Sequence, residues 1–159
     1  MLEKSFYPAS SNQHLQYRVS SIRYPIVSSI SSERKMPGRI LVIEDNPQNL
    51  ELMSYLLRAF GHVVVSASDG AEGLDLVGRE MFDVIICDVH LPKFDGYEVV
   101  RRLKKDSVLR RIPVVAVTAL AMVGDRDKVL AAGFDGYIDK PIAPEMFVKQ
   151  VEAFMHKKS

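Results

Sequence analysis

From Arg39 onward, short β-branched runs alternate with segments whose apolar residues recur at helical spacing. The runs are Ile40 to Ile43, Val63 to Val65, Val84 to Ile86, Val114 to Val117 and Tyr137 to Ile138. They are nearly continuous in apolar character, as a sheet covered on both faces requires. Between them, Leu50, Met53, Leu57 and Phe60 fall on one helical stripe, as do Tyr97, Val100 and Leu103, and then Phe147, Val151 and Phe154. Each stripe needs a sheet face to bury against. Asn46 is placed to cap the first helix with Pro47 at its first position, Gly61 to end it, and Pro144 to open a last helix running from Ala143 to about His156. Five strands alternating with five helices predict an α/β domain with a parallel sheet and right-handed crossovers.

By analogy at the level of fold, the expected form is a flavodoxin-like doubly wound sheet of five parallel strands in the order 2-1-3-4-5, with five helices. This domain is expected over residues 36–159. Residues 1–35 hold nine Ser, five basic and two acidic side chains with little apolar clustering. They read as a disordered Ser-rich leader, because such a stretch buries too little surface to order. No apolar core of a secretory signal lies within it, and Met36 is an alternative start.

Charge and cysteine content narrow the classes further. The chain of 159 residues carries 21 basic and 20 acidic side chains, and the part after residue 35 has a net charge of −2, so no global field points to nucleic acid. No apolar run reaches the roughly 18 residues of a membrane span. The single Cys87 excludes an internal disulfide and a zinc framework, and fits a cytoplasmic, reducing setting.

In a doubly wound sheet, ligands bind beyond the carboxyl ends of the strands, where the winding reverses between strands 1 and 3. The polar residues at those ends are Glu44 and Asp45, Asp88, Thr118, and Asp139 with Lys140. Glu44, Asp45 and Asp88 would repel one another unless something cationic sits among them, and a hard divalent ion with oxygen ligands is the natural partner. Asp45 and Asp88 are the expected direct ligands of magnesium, Glu44 a water-mediated one, and the backbone carbonyl of His90 a third protein contact. A metal alone leaves Thr118 and Lys140 without a task. A phosphoryl group beside the ion uses both: Asp88 can form an aspartyl-phosphate, Lys140 can neutralise the equatorial oxygens, and the Thr118 hydroxyl can donate to one of them.

These residues resemble the receiver domain of two-component response regulators. The likeness rests on Ile40-Leu41-Val42-Ile43-Glu44-Asp45-Asn46, on Cys87-Asp88-Val89-His90-Leu91-Pro92-Lys93-Phe94-Asp95-Gly96, on Val117-Thr118-Ala119, and on Tyr137-Ile138-Asp139-Lys140-Pro141, in that order and spacing from about Gly38 to His156. The resemblance implies that Asp88 takes a phosphoryl group from a histidine kinase or histidine phosphotransfer protein, with Mg²⁺ or Mn²⁺ bound. It implies a cis peptide before Pro141, and a switch in which Thr118 moves inward and Tyr137 fills the vacated space. A downstream protein would then read the face made by the fourth helix, fifth strand and fifth helix. With one helix left after Lys140, no output domain is expected, and the chain resembles stand-alone receivers, acting as a monomer or weak dimer. The stretch from Val114 to Pro141, with Ala119-Leu120-Ala121-Met122, is similar to cell-cycle adaptors and to receivers of hybrid kinases.

Other readings of the same residues stay open at this level. A phosphatase of the haloacid-dehalogenase type also uses an aspartyl-phosphate, but it wants a second carboxylate where this chain has His90. A degenerate receiver could bind partners without phosphate. Flavin binding wants a Gly-, Ser- and Thr-rich cradle after strand 1, where Glu44-Asp45-Asn46-Pro47 is acidic. Individually, Cys87 reads as a core filler, Met122, Met146 and Met155 as core or interface fillers, and His90 as a solvent-facing residue at the site mouth. Lys104-Lys105 and Arg110-Arg111 read as a solvated face.

Overall fold

The computed structural model describes residues 36–119 and 124–155. The expected leader, the run Leu120-Ala121-Met122 and the residues from His156 on lie outside that range. Five strands, β1 (Arg39–Ile43), β2 (Val63–Ala67), β3 (Val84–Asp88), β4 (Val114–Thr118) and β5 (Gly136–Asp139), form one parallel sheet in the order β2-β1-β3-β4-β5. Between and after them run α1 (Pro47–Ala59), α2 (Gly70–Arg79), α3 (Gly96–Lys105), α4 (Asp125–Ala131) and α5 (Pro144–Met155), with a 3₁₀ turn at Leu109–Arg111.

The period-2 geometry of the strands divides the apolar residues between two cores. Leu41, Ile43, Ile85, Cys87, Val114 and Ala116 face one side and meet Val77, Val99, Val100, Leu103 and Val129 of α2, α3 and α4. Ile40, Val42, Val84, Ile86, Val115 and Val117 face the other and meet Met53, Leu56 and Leu57 of α1 and Phe147, Val148 and Val151 of α5. Because β1, β3 and β4 have a helix layer on both sides, every residue of β3 and β4 is buried, which explains their unbroken apolar sequence. Truncating one such Leu or Ile to Ala costs about 2–5 kcal/mol.

The helix ends are set locally. Asn46 Oδ1 accepts hydrogen bonds from the Gln48 and Asn49 amides at 3.0 and 3.1 Å, with Pro47 following, as the sequence requires of a cap. Gly61, at φ +91°, adopts the left-handed turn that closes α1. Asp69 and Asp95 cap α2 and α3 through the amides of Glu72 and Glu98. Where β2 forms the edge of the sheet, the Arg58 guanidinium donates to the Val64 carbonyl at 3.2 Å.

One basic residue departs from the expected solvated face. Lys104 turns its ammonium inward to Asp135 Oδ2 at 2.8 Å and to the carbonyls of Arg110 and Ile112 at 3.2 Å each. It thus ties the end of α3, the 3₁₀ turn and the α4–β5 connection together, because those carbonyls would otherwise lack donors.

Candidate active site

β1 lies between β2 and β3, so the chain winds to opposite sides from it and leaves a crevice at the carboxyl ends of β1 and β3. Glu44, Asp45 and Asp88 come together there, each offering a carboxylate oxygen within 4.8 Å of the others. Glu44 and Asp88 are buried and Asp45 is exposed, so the cluster opens to solvent on the Asp45 side.

Lys140 reaches the cluster from the end of β5. Its Nζ donates to Asp88 Oδ2 at 2.8 Å and pairs with Glu44 Oε2 at 2.8 Å. The Lys140 amide also donates to the Thr118 carbonyl at 2.9 Å, and the Lys140–Pro141 peptide bond is cis. Asp88 Oδ1 accepts from the His90 amide at 2.9 Å, while the His90 side chain points to solvent. Glu44 Oε1 accepts from the Asn46 amide at 3.0 Å. Gly96 lets α3 start hard against this strand end, since a Cβ there would lie 2.3 Å from the Asp88 carbonyl oxygen.

Three carboxylates against one ammonium leave the cluster two negative charges in excess when all are ionised. Burial raises the Glu44 pKa, and the nearby Asp88 charge adds to the rise, against the opposing hydrogen bonds from Lys140 and the Asn46 amide. Burial alone would lower the Lys140 pKa, but hydrogen bonds and charge from Asp88 and Glu44 outweigh it and hold the ammonium firmly protonated. Burial, with Asp88 and Glu44 behind it, pushes the Cys87 thiol well up, which makes it an unreactive core residue.

Thr118 is buried at the end of β4, and its Oγ1 has no hydrogen-bond partner among the described residues. In register with it stands Asp139, and two residues earlier Ala116 stands opposite Tyr137. Tyr137 is half-buried against the first core, and the Arg126 guanidinium lies over its ring at 4.8 Å from the centroid. Sequence reasoning did not single out Arg126. It sits 11 positions before Tyr137, and only the packing of α4 on β5 brings the two together.

The two-sided parallel sheet thus carries an acidic crevice, a lysine and a buried hydroxyl at one rim. The chain belongs to the response regulator receiver domain family, whose model matches residues 40–152. It is 38% identical over 120 residues to the polar-differentiation response regulator DivK of Brucella anthropi, a match covering 76% of this chain and 98% of that relative. Among solved structures, it resembles the chemotaxis response regulator CheY4 of Vibrio cholerae, at 28% identity and a TM-score of 0.71, over 74% of this chain and 98% of that one. It also resembles the receiver domain of a Pseudomonas aeruginosa sensor histidine kinase, whose structure has a magnesium ion coordinated in the active-site cleft. That likeness has 33% identity and a TM-score of 0.69, and covers 75% of this chain and 98% of that chain. Among the described residues, no helix is long and apolar enough to cross a membrane.

Proposed function

We propose that Asp88 accepts a phosphoryl group from a phosphohistidine on a histidine kinase or phosphotransfer protein, and that the modified domain changes the protein partner it binds. The observation that carries this reading is the meeting of Glu44, Asp45 and Asp88 with the Lys140 ammonium, beside a buried Thr118 hydroxyl that lacks a partner among the described residues. Two excess negative charges match one divalent cation, and an all-oxygen donor set suits Mg²⁺ or Mn²⁺. Asp45, Asp88 and the His90 carbonyl would hold it, with Glu44 acting through water. When bound, the ion supplies charge neutralisation for the transferring group.

The residues of the chain do the rest. An Asp88 carboxylate oxygen forms the new bond to phosphorus, the P–N bond of the donor breaks, and its electron pair stays on the imidazole nitrogen. Lys140 is held within reach of the same carboxylate, so its charge can follow onto the added phosphoryl oxygens at little reorganisation. Thr118 Oγ1 gains an acceptor for its unused donor. Its inward movement frees space for the Tyr137 ring, and the face of α4, β5 and α5 changes shape for a downstream protein. The domain turns over only its own phosphoryl group, as a cytoplasmic regulator of two-component signalling.

The test is intact mass after incubation with acetyl phosphate and MgCl₂. The native chain should gain one phosphoryl group, whereas Asp88→Asn, or native chain in EDTA, should gain none. A native chain that gains nothing overturns the reading.

A further inference from the structure

The geometry points to Arg126 as a positioning residue that holds the Tyr137 ring where it lies in this structure and so opposes loading of Asp88. This rests on the reading of Tyr137 as the residue that moves. Arg126 lies at the start of α4, on the sheet face that carries Ala116, Thr118, Tyr137 and Asp139. Its guanidinium covers the Tyr137 ring at 4.8 Å, and Nη2 stands 3.6 Å from Asp139 Oδ2. One exposed side chain therefore holds both residues of β5 that point toward α4 near the rim.

The stack and the ion pair act in the same direction. An aromatic ring cannot turn in toward Thr118 and keep a cation on its face, so inward movement forfeits the stack. Opposite Tyr137, β4 presents the small side chain of Ala116 and not a large one. Asp139 anchors the guanidinium from the other side and keeps it over the ring. In the reverse direction, anything that draws Tyr137 inward frees the Arg126 guanidinium from the ring and changes how the α4 face presents that charge. The clamp is thus a bias on a two-state element, and removing it shifts populations without touching the reacting groups.

The experiment uses the full chain labelled with 3-fluorotyrosine, with the Tyr137 resonance assigned among the six tyrosines by Tyr137→Phe. In the untreated protein, Arg126→Ala should move the Tyr137 resonance toward its position in protein treated with acetyl phosphate and MgCl₂. The inward population should rise about fivefold, the combined worth of an exposed stack and a surface ion pair. The initial rate of phosphoryl uptake from acetyl phosphate should rise by about the same factor. Arg126→Lys, which keeps the charge but not the flat guanidinium, should fall between native and Ala. An unchanged Tyr137 resonance in Arg126→Ala overturns the clamp, and a shifted resonance with an unchanged uptake rate overturns its opposition to loading. If the native chain takes up no phosphoryl group, the proposed function fails. The fluorine comparison of untreated proteins still decides whether Arg126 holds the ring.

Discussion

Lys140 and Glu44 form a buried ion pair, Nζ to Oε2 at 2.8 Å, whose two members both hold protons more tightly in the folded chain than in the unfolded one. For Glu44 the cause is chiefly burial, and for Lys140 it is the two carboxylates it serves. A raised folded-state pKa contributes stability that is present below the unfolded value and is lost as pH rises through the folded one. Ionised Glu44 therefore weakens the fold at neutral pH, whereas Lys140 supports it until strongly alkaline pH. In metal-free buffer, Glu44→Gln should unfold at higher denaturant than native protein at pH 7, and the gap should close below about pH 4.5. Lys140→Met should cost about 3 kcal/mol at pH 7, because it leaves buried carboxylates unpaired. Urea titrations across pH check both.

Divalent cations should raise stability through binding to the folded state alone. At a hundredfold excess over Kd the gain is about 2.7 kcal/mol. Asp45 is exposed, so Asp45→Asn should leave the metal-free fold intact while removing most of the gain. Thermal melts with and without MgCl₂ or MnCl₂ measure the difference.

Thr118→Val replaces a buried hydroxyl, unpartnered among the described residues, with a methyl of nearly the same shape. Burying such a hydroxyl costs about 1–3 kcal/mol, so the unphosphorylated variant should be as stable as native chain or more stable. The same substitution should abolish the Tyr137 resonance shift on treatment with acetyl phosphate. Equilibrium unfolding and the fluorine spectrum separate these two outcomes.

Gly96→Ala forces a Cβ to within 2.3 Å of the Asp88 carbonyl oxygen and 2.9 Å of Val89 Cα. Backbone atoms cannot swing away as a flexible side chain can, so α3 must shift off the strand end. The expected cost is about 1–3 kcal/mol, with slower phosphoryl uptake because the shift re-aims Asp88. Denaturation midpoints and mass-monitored uptake rates check this.

The sheet, its strand order and the gathering of Glu44, Asp45, Asp88, Thr118 and Lys140 at one rim were legible because period and strand-end position are local properties of the chain. Each observed strand contains its predicted apolar run and extends it by a residue or two, as with β3, which runs on through Cys87 to Asp88. The long-range polar pairings were not legible. Lys104 follows Leu103 in a run of basic residues that looks solvated, and its partner Asp135 lies 31 residues away on another element. Arg126 is equally mute, since a cation at the start of a helix, beside Asp125 and Asp127, reads as ordinary surface until β5 is placed beneath it.

The guanidinium of Arg58 occupies a carbonyl that the sheet leaves open at its flank. A foreign strand seeking to extend the sheet past Val64 would first have to evict it. One long side chain thus stands sentry over that border.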